Sequence, residues 1–552
     1  MSSKRTGRFP THAAPSSGEE SRTTSFRCEA IGTRQTLKLS FVFTFLWMVI
    51  AHASRWFNTT SASHDGLALT ATPTEMAHQI ALGRFLWPIY TIVRGSVAAP
   101  YLVGILSSLF IALSVYLIAR ILKTEGPVAI CAIAGALSTS ITVTTLNASY
   151  TGWFDADMLS LLLSVLAVYM VVHWRNIAAG SIALAASMGL YQSYLQMFIA
   201  LALITVIVFT LDGAPPRQHL RLAATLLVAL ILGILVYAIA MRAAMFIASV
   251  APTTGYNGLA SVGDYSNESV IALIIKAYIL PFAYLIYPET HLPTIAGICN
   301  IALGISTLCG AVLLSRRKRL STLSIVIVAL CILALPFGCS LIYVISHGVM
   351  HGLMIHSFSS LYLLAIAIAV RVSHSSRQPT STFRPSRRQA VLSGTCVVLF
   401  AIFAFNAVYA NELYVRKDME SYATLSTMTR VVDQLEHLDG YVPGETQVIL
   451  IGTLAESPIA QDRPGFPPNQ AHIPLESLVG QLHSTGFYSD YSVTYLQTYR
   501  FYFTYVLGYP IAISDDATTR AFEDKPEVKA MGTFPSSTSI GWVDDSVVVK
   551  LS

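Results

Sequence analysis

The segment RLAATLLVALILGILVYAIAMRAAMFI occupies residues 221–247, and the twenty residues between Arg221 and Arg242 carry no charge. A helix needs about 20 consecutive apolar residues to cross the hydrocarbon core of a bilayer. This segment therefore predicts a transmembrane helix. The whole chain of 552 residues agrees, because it is 54% hydrophobic and only 12% charged with a mean hydropathy of +0.58. A soluble domain is about 25% charged, so much of this surface must face lipid.

Ten other apolar segments raise the number of predicted spans to eleven. They cover residues 37–53, 97–119, 127–146, 157–173, 178–190, 192–211, 293–314, 322–346, 356–372 and 389–409. Residues 268–288 are also apolar, but a span there would place the cluster Arg316–Arg319 outside the cytoplasm, against the positive-inside rule. We therefore expect that segment to be re-entrant or interfacial, held by Lys276 and Pro281.

The distribution of Lys and Arg sets the orientation and the domain boundaries. Residues 1–36 are rich in Ser, Thr and Arg and predict a disordered cytoplasmic tail. Residues 37–409 form the predicted membrane domain. Eleven spans then place residues 410–552 outside the cytoplasm, where mixed polarity predicts a small α/β domain. Its predicted elements are a helix over Ser426–Leu438, a strand over Gln447–Thr453, a helix over 521–531 and a strand over Ser546–Leu551.

Charge and cysteine content exclude several classes of protein. The net charge of +5 comes from short basic runs between apolar segments, which set topology and do not predict nucleic-acid binding. None of the seven cysteines has CxxC spacing, and the segment after Cys396 has none. The sequence therefore predicts neither a disulfide framework nor a cysteine metal site.

Two predicted outward loops carry the polar residues of interest. The loop Ser54–Ser96 contains His64-Asp65 and, later, Gly83-Arg84 in the stretch GRFLWP. A connector between two spans does not need more than 40 residues, so this length indicates a function. The second loop, residues 147–157, reads NASYTGWFDAD and places two carboxylates, a tyrosine and a tryptophan at the membrane surface.

These loops resemble those of the GT-C glycosyltransferases, and specifically the GtrII-type glucosyltransferases. The similarity rests on the early Asp and later Gly-Arg of the first loop, on NASYTGWFDADMLSLLLSVLAVY (147–169), on GLYQSYLQMF (189–198) and on the closing MGTFPSSTSIGWVDDSVVVKLS (531–552). It covers about residues 38–552. The family commonly has paired acids where this chain has His64-Asp65, which leaves Asp65 as the single carboxylate at this position.

The resemblance implies a GT-C-like fold and an enzyme that moves a sugar, expected to be glucose, from a polyprenyl-phosphate donor to a surface polysaccharide such as O-antigen. It implies a bacterial inner-membrane protein acting on the outer face, with no cofactor beyond the lipid-linked donor. A divalent metal stays open, as do a flippase and a donor-lipid synthase as partners. A polysaccharide polymerase or ligase and a lipid-linked-sugar transporter remain as alternatives, although no internal repeat favours the transporter.

The expected chemistry assigns roles to the acidic and basic candidates. An alcohol is a poor nucleophile, so a carboxylate that accepts its proton is needed, and Asp65 is the candidate base. A leaving phosphate favours arginine, which makes Arg84 the first candidate for donor binding. Arg242 and Lys276 are the others, with snorkelling to the interface as the alternative for both. A loop-capping role stays open for Asp65.

The remaining candidates also have two interpretations each. Asp155 and Asp157 would bind sugar hydroxyls or orient Arg84, or else cap a helix that begins near Met158. Tyr191 and Gln192 would contact the substrate or satisfy a tight turn. His347 and His351, spaced i and i+4, would share one helical face and line the donor cavity; without an HExxH pattern no metal site is predicted. The aromatic stretch Tyr488–Tyr509 would stack on sugar rings or form ordinary core.

Overall fold

Long apolar helices account for most of the structure. The computed structural model describes residues 32–58, 72–253, 269–374, 387–452, 454, 482–483, 499–500 and 502–552. In chain order the helices up to residue 436 are α1 (Thr33–Phe57), α2 (Pro73–Ala81), α3 (Leu86–Arg94), α4 (Pro100–Leu122), α5 (Pro127–Ser138), α6 (Ile141–Ser149), α7 (Thr151–His173), α8 (Ile177–Leu190), α9 (Leu195–Leu211), α10 (Pro216–Ala248), α11 (Val270–Ile286), α12 (Pro293–Arg317), α13 (Thr322–Cys339), α14 (Leu341–Ile345), α15 (Ser359–His374) and α16 (Arg387–Glu436).

Within the described part of the chain, nine helices are long and apolar enough to cross a membrane: α1, α4, α7, α9, α10, α12, α13, α15 and α16. The pair α5 and α6, bent by 44° where α5 ends, makes a tenth when taken as one broken span. Helices α8 and α11 are apolar but have only 14 and 17 residues. The predicted polytopic α-helical class is therefore confirmed, while the number of eleven spans stays a prediction.

Three predicted boundaries differ from the structure. Helix α7 begins at Thr151, six residues before the predicted start, and it therefore contains the acidic end of the second loop. The predicted span over 127–146 is broken after Ser138. The predicted helix Ser426–Leu438 is wrong as a separate element, because α16 runs unbroken from the membrane segment to Glu436. No Gly or Pro interrupts residues 395–439, so nothing in the sequence ends the helix earlier.

Helix α11 is the apolar segment that we expected to be re-entrant or interfacial. Pro281 lies inside it and removes the N–H that would bond the Ala277 carbonyl. Ser340, directly after α13, supplies the missing donor, with its Oγ 2.5 Å from that carbonyl oxygen. Near the end of α11, the Leu285 carbonyl accepts from Asn300 Nδ2 in α12 at 2.8 Å. Helix α11 therefore contacts both α12 and the residue that follows α13, and its re-entrant or interfacial placement stays a prediction.

The two ends of the bundle carry different polar contacts. At one end Arg371 pairs with Asp212 at 2.7 Å, and Arg120 pairs with Glu125 at 3.3 Å. Arg120 and Arg371 lie in short basic stretches between apolar segments, which the positive-inside rule predicts to face the cytoplasm. At the opposite end lie α2, α3 and the first turns of α7, α9 and α15. We call this the site end, because it collects the candidate residues of both predicted outward loops.

After α16 the described chain forms a small sheet with flanking helices. Its elements are β2 (Gln447–Ile451), β4 (Ala512–Ile513), α17 (Asp516–Glu523), α18 (Pro526–Ala530), β5 (Ile540–Val543) and β6 (Ser546–Lys550), and a separate parallel pair joins β1 (Met350–His351) to β3 (Leu482–His483). The sheet order is β4-β2-β6-β5, with β5 antiparallel and the other pairings parallel. Apolar residues of α16, namely Met428, Val431 and Leu435, pack in one cluster with Val448 of β2.

Both strands predicted for this region are present as β2 and β6. The single helix predicted over 521–531 is wrong, because the chain forms α17 and α18 on either side of Asp524 and Lys525. Pro526 explains the break: it has no N–H to continue α17, and its ring disfavours helical geometry at Lys525.

Candidate active site at the site end of the bundle

Arg84 lies in the tight turn between α2 and α3. Gly83 has a φ of +83°, which glycine adopts without steric cost, so the chain can reverse there. The Arg84 guanidinium carbon lies 4.6 Å above the centre of the Tyr191 ring, a cation–π contact. Its Nη1 donates to Gln79 Oε1 at 3.2 Å. Arg84 is therefore held on one face by an aromatic ring and at one edge by an amide.

Tyr191 and Gln192 form the break between α8 and α9. Tyr191 is extended, and the residues after it form a short 3-10 turn. Gln192 Nε2 donates to the Leu82 carbonyl at 2.6 Å and to the Tyr237 hydroxyl at 3.0 Å, and that hydroxyl donates to the Gly83 carbonyl at 3.2 Å. Tyr191 and Gln192 therefore make a tight turn, and Gln192 also holds the neighbouring turn that carries Arg84. Their contact with the substrate stays a prediction.

Both carboxylate oxygens of Asp155 accept hydrogen bonds, mainly from α3. Its Oδ1 accepts from Arg94 Nη1 at 2.8 Å and from the backbone of Ala156 at 3.0 Å, and its Oδ2 accepts from the Tyr90 hydroxyl at 2.8 Å. The side chains of Arg94 and Asp155 are 1% and 0% exposed. Burial and the neighbouring carboxylate both raise the pKa of the Tyr90 phenol, so it stays protonated and donates. We call this group of Tyr90, Arg94 and Asp155 the strut.

Asp157 differs from Asp155 although only two residues separate them. It is 4% exposed, yet it forms no hydrogen bond with any described residue. One and two turns further along α7, Ser160 and Ser164 donate to the carbonyls of Tyr191 and Tyr194 at 3.2 and 2.9 Å. Asp157 shares this helix face, so it points toward the turn on which Arg84 rests. The two groups interact electrostatically without forming an ion pair.

The alternative role of Asp155 and Asp157 as helix caps is wrong. Helix α7 begins at Thr151, with Tyr150 at the cap position and no side-chain cap bond. The two carboxylates are the fifth and seventh residues of the helix, beyond the first turn, where no free backbone N–H is left to cap.

Aromatic rings pack around the strut. The Trp87 and Trp153 rings stack with centroids 6.0 Å apart, and Tyr90 and Tyr150 pack against this pair. Four N–H donors of this region are buried without a hydrogen-bond partner among the described residues; they are Arg84 Nε, Trp87 Nε1, Arg94 Nη2 and Trp153 Nε1. Natural proteins leave few such donors unsatisfied, so each one needs an explanation, and a bound ligand is one explanation.

The other candidates lie elsewhere. Arg242 is exposed on α10, as the snorkelling alternative predicts, and Lys276 is half-buried on α11. The shared helical face of His347 and His351 is wrong, because α14 ends at Ile345, His347 has a φ of +55° and His351 belongs to β1. Asp65 and most of the aromatic stretch that begins at residue 488 lie outside the described residues.

The contact of Tyr90 and Arg94 with Asp155 was not among the sequence-based predictions. Its signal was present in LWPIYTIVR, where Tyr90 and Arg94 are spaced i and i+4 and therefore share one face of a short amphipathic helix. A second missed contact joins Tyr194 to His356 Nδ1 at 3.2 Å, while His356 Nε2 donates to the Leu137 carbonyl. Among the residues that the structure describes, no group of three or more His, Cys, Asp or Glu could hold a metal ion.

These features define a polytopic membrane protein with a charged, partly unsatisfied polar site at one end of its helix bundle. Comparison with protein families gives a match to the model described as Glucosyl transferase GtrII over residues 56–373, more than half of the chain. The chain therefore belongs to the GtrII glucosyltransferase family and is a glycosyltransferase. No curated protein and no solved structure matches it. The matched region contains the first predicted outward loop from residue 56 onward, the whole of the second loop and every residue of the strut.

Proposed function

We propose that this protein transfers glucose from a polyprenyl-phosphate donor to a surface polysaccharide, such as O-antigen, on the outer face of the bacterial inner membrane. The observation that carries the proposal is the arrangement at the site end. There Arg84, whose buried Nε has no hydrogen-bond partner among the described residues, lies within electrostatic range of Asp157, which accepts no hydrogen bond from them. Both residues belong to the region that matches the glucosyltransferase family.

Arg84 is the proposed contact of the donor phosphate. The Nε and Nη2 groups of its guanidinium have no hydrogen-bond partner among the described residues, and the Tyr191 ring holds its plane in place. A planar, permanently charged fork suits the bidentate recognition of a phosphate. As the bond from the sugar C1 to the phosphate oxygen breaks, negative charge grows on the phosphate, and Arg84 stabilises it.

Asp65 remains the proposed general base. The acceptor hydroxyl attacks C1 and gives its proton to this carboxylate while the polyprenyl phosphate departs. Asp65 precedes Thr72, the N-cap of α2, by seven residues, so a chain of at most about 25 Å joins it to the helix that leads to Arg84. Any part played by Lys276, His347 and His351 in lining the donor cavity stays a proposal as well.

The proposed topology follows the distribution of basic residues. The tail of residues 1–36 and the end with Arg120 and Arg371 face the cytoplasm, while the site end and residues 410–552 face outward. The outer sheet then helps to bind the acceptor or shields the site. A flippase that presents the lipid-linked sugar on this side and a synthase that makes it are the expected partners.

The test is sugar transfer in membranes supplied with polyprenyl-phosphate-glucose. At equal expression we expect Asp65→Asn to lower the rate about a hundredfold or more, the effect of a lost general base. Arg84→Gln should also be strongly impaired. Arg221→Gln is the matched control, because this exposed arginine begins the membrane segment of α10 at the other end of the bundle. Absence of transfer from any lipid-linked sugar by the wild type would reject the proposal and favour a polymerase or a transporter.

A further inference from the structure

The two carboxylates of the second loop point in opposite directions. Asp155 and Asp157 lie two residues apart on α7, and two residues turn an α-helix by about 200°. Asp155 faces α3, whereas Asp157 shares the face on which Ser160 and Ser164 bond to the turn at Tyr191. Only Asp157 therefore belongs to the face that Arg84 covers.

The two carboxylates also differ in what satisfies them. Asp155 accepts three hydrogen bonds, one of them from a buried arginine. Asp157 accepts none from the described residues, although 96% of its surface is covered. A buried carboxylate without a partner is costly, so its partner is expected to arrive with a ligand.

The position of Arg84 restricts that ligand. Arg84 and Asp157 have opposite charges and lie within electrostatic range, yet they do not pair, because Arg84 is drawn onto the Tyr191 ring and Gln79. Because neither group is paired with the other, the two together suit a ligand that carries an anionic group for Arg84 and hydroxyl donors for Asp157. A sugar phosphate ester has this composition, with its hydroxyls one pyranose ring away from its phosphate.

We propose that Asp157 accepts hydrogen bonds from hydroxyls of the sugar being transferred and so determines which lipid-linked sugar the enzyme uses. The inference rests on the proposed function and assigns a specificity role within the same site. Asp155 takes no part in recognition and serves to hold α3 against α7. A donor sugar that lacks the contacted hydroxyl leaves the buried carboxylate unpaired and is rejected.

The test combines donor analogues with variants in a double-mutant cycle. Transfer from polyprenyl-phosphate-glucose and from its 2-, 3-, 4- and 6-deoxy analogues is compared for the wild type, Asp157→Asn and Asp157→Ala. We expect the wild type to disfavour at least one analogue by about 10- to 100-fold in kcat/KM, the range for a hydrogen bond to a charged group. Asp157→Ala should use that analogue and the parent sugar within about threefold of each other. Asp157→Asn keeps the shape of the side chain and is the control for misfolding of Asp157→Ala.

Two results would overturn this assignment. One is the same discrimination in Asp157→Ala as in the wild type. The other is an equal fall of kcat for all donors in both variants together with loss of the acidic limb of the pH profile, which would make Asp157 the general base. Binding of the same donors, measured by calorimetry in detergent, separates the two proposals. Lack of transfer rejects the proposed function, whereas binding without discrimination between the sugars rejects the role of Asp157.

Discussion

Replacing Arg94 by methionine tests the strut most directly. The change keeps the length and apolar stem of the side chain but leaves the Asp155 carboxylate, 0% exposed, without its countercharge. Removing one partner of a buried ion pair costs about 3–5 kcal/mol. The Tyr90 hydroxyl still donates at 2.8 Å, so we expect the free energy of unfolding to fall by about 3 kcal/mol, at the lower end of this range.

The assay is unfolding in mixed micelles with increasing SDS, followed by tryptophan fluorescence, because Trp87 and Trp153 pack beside the strut. The double variant Arg94→Met, Asp155→Asn should recover most of the loss, since an uncharged amide is cheaper to bury than an unpaired carboxylate. The control is Arg120→Met. Its pair with Glu125 is 27% and 18% exposed, and loss of such a pair costs about 1 kcal/mol or less. Equal losses for Arg94→Met and Arg120→Met would refute the reasoning.

Three further predictions concern other parts of the molecule. Tyr191→Leu removes the ring beneath Arg84 and should lower kcat/KM for the donor by about 2- to 30-fold, which corresponds to the free energy of a cation–π contact. Tyr191→Phe keeps the ring and should lower kcat/KM by less, and steady-state kinetics with the donor compare the two variants. Gly297→Ala places a methyl group against the carbonyl of the last residue of α11 and should destabilise the protein by about 1–3 kcal/mol, while Gly304→Ala meets nothing within 4 Å and should be neutral; detergent melting curves compare the two. Asp515 caps α17, and the Thr518 amide that donates to its carboxylate holds the pKa of Asp515 below the usual value. The cap therefore stabilises the helix at neutral pH, and this stabilisation is lost as the pH falls through the lowered pKa. Hydrogen exchange of the Thr518 amide should be faster in Asp515→Ala than in the wild type at pH 7, and the difference should vanish in acid.

The membrane helices can be predicted from the sequence because the hydropathy of a segment depends on that segment alone. A run such as residues 221–247 must be buried in lipid whatever its neighbours are. Boundaries were less predictable, since the apolar pattern of α7 starts at Met158 while its helix begins at Thr151. Tertiary contacts made the difference: Tyr90 and Arg94 satisfy Asp155 and allow a charged residue to lie inside the first turns of a buried helix.

Residue types and positions were enough to predict which residues form the candidate site, but they predicted only partly which of those residues contact one another. Polar residues at the membrane boundary indicate a function, and on this ground the candidates included Arg84, Asp157, Tyr191 and Gln192. The structure places these four residues close together. The spacing of Asp155 and Asp157 could not distinguish a structural carboxylate from an unsatisfied one. That distinction depends on α3, which the sequence analysis treated as part of a loop.

Helix α16 has a mechanical consequence. Its apolar window ends at Val415, and the remaining 21 residues to Glu436 extend about 30 Å beyond it, with the sheet packed against their last turns. Bilayers of different thickness change the tilt of a spanning helix. A rigid rod of this length turns a tilt of about 5° into a displacement of about 3 Å at its far tip, by the rise of the helix alone. We therefore expect a change in the thickness of the surrounding lipid to shift the sheet relative to the membrane segments.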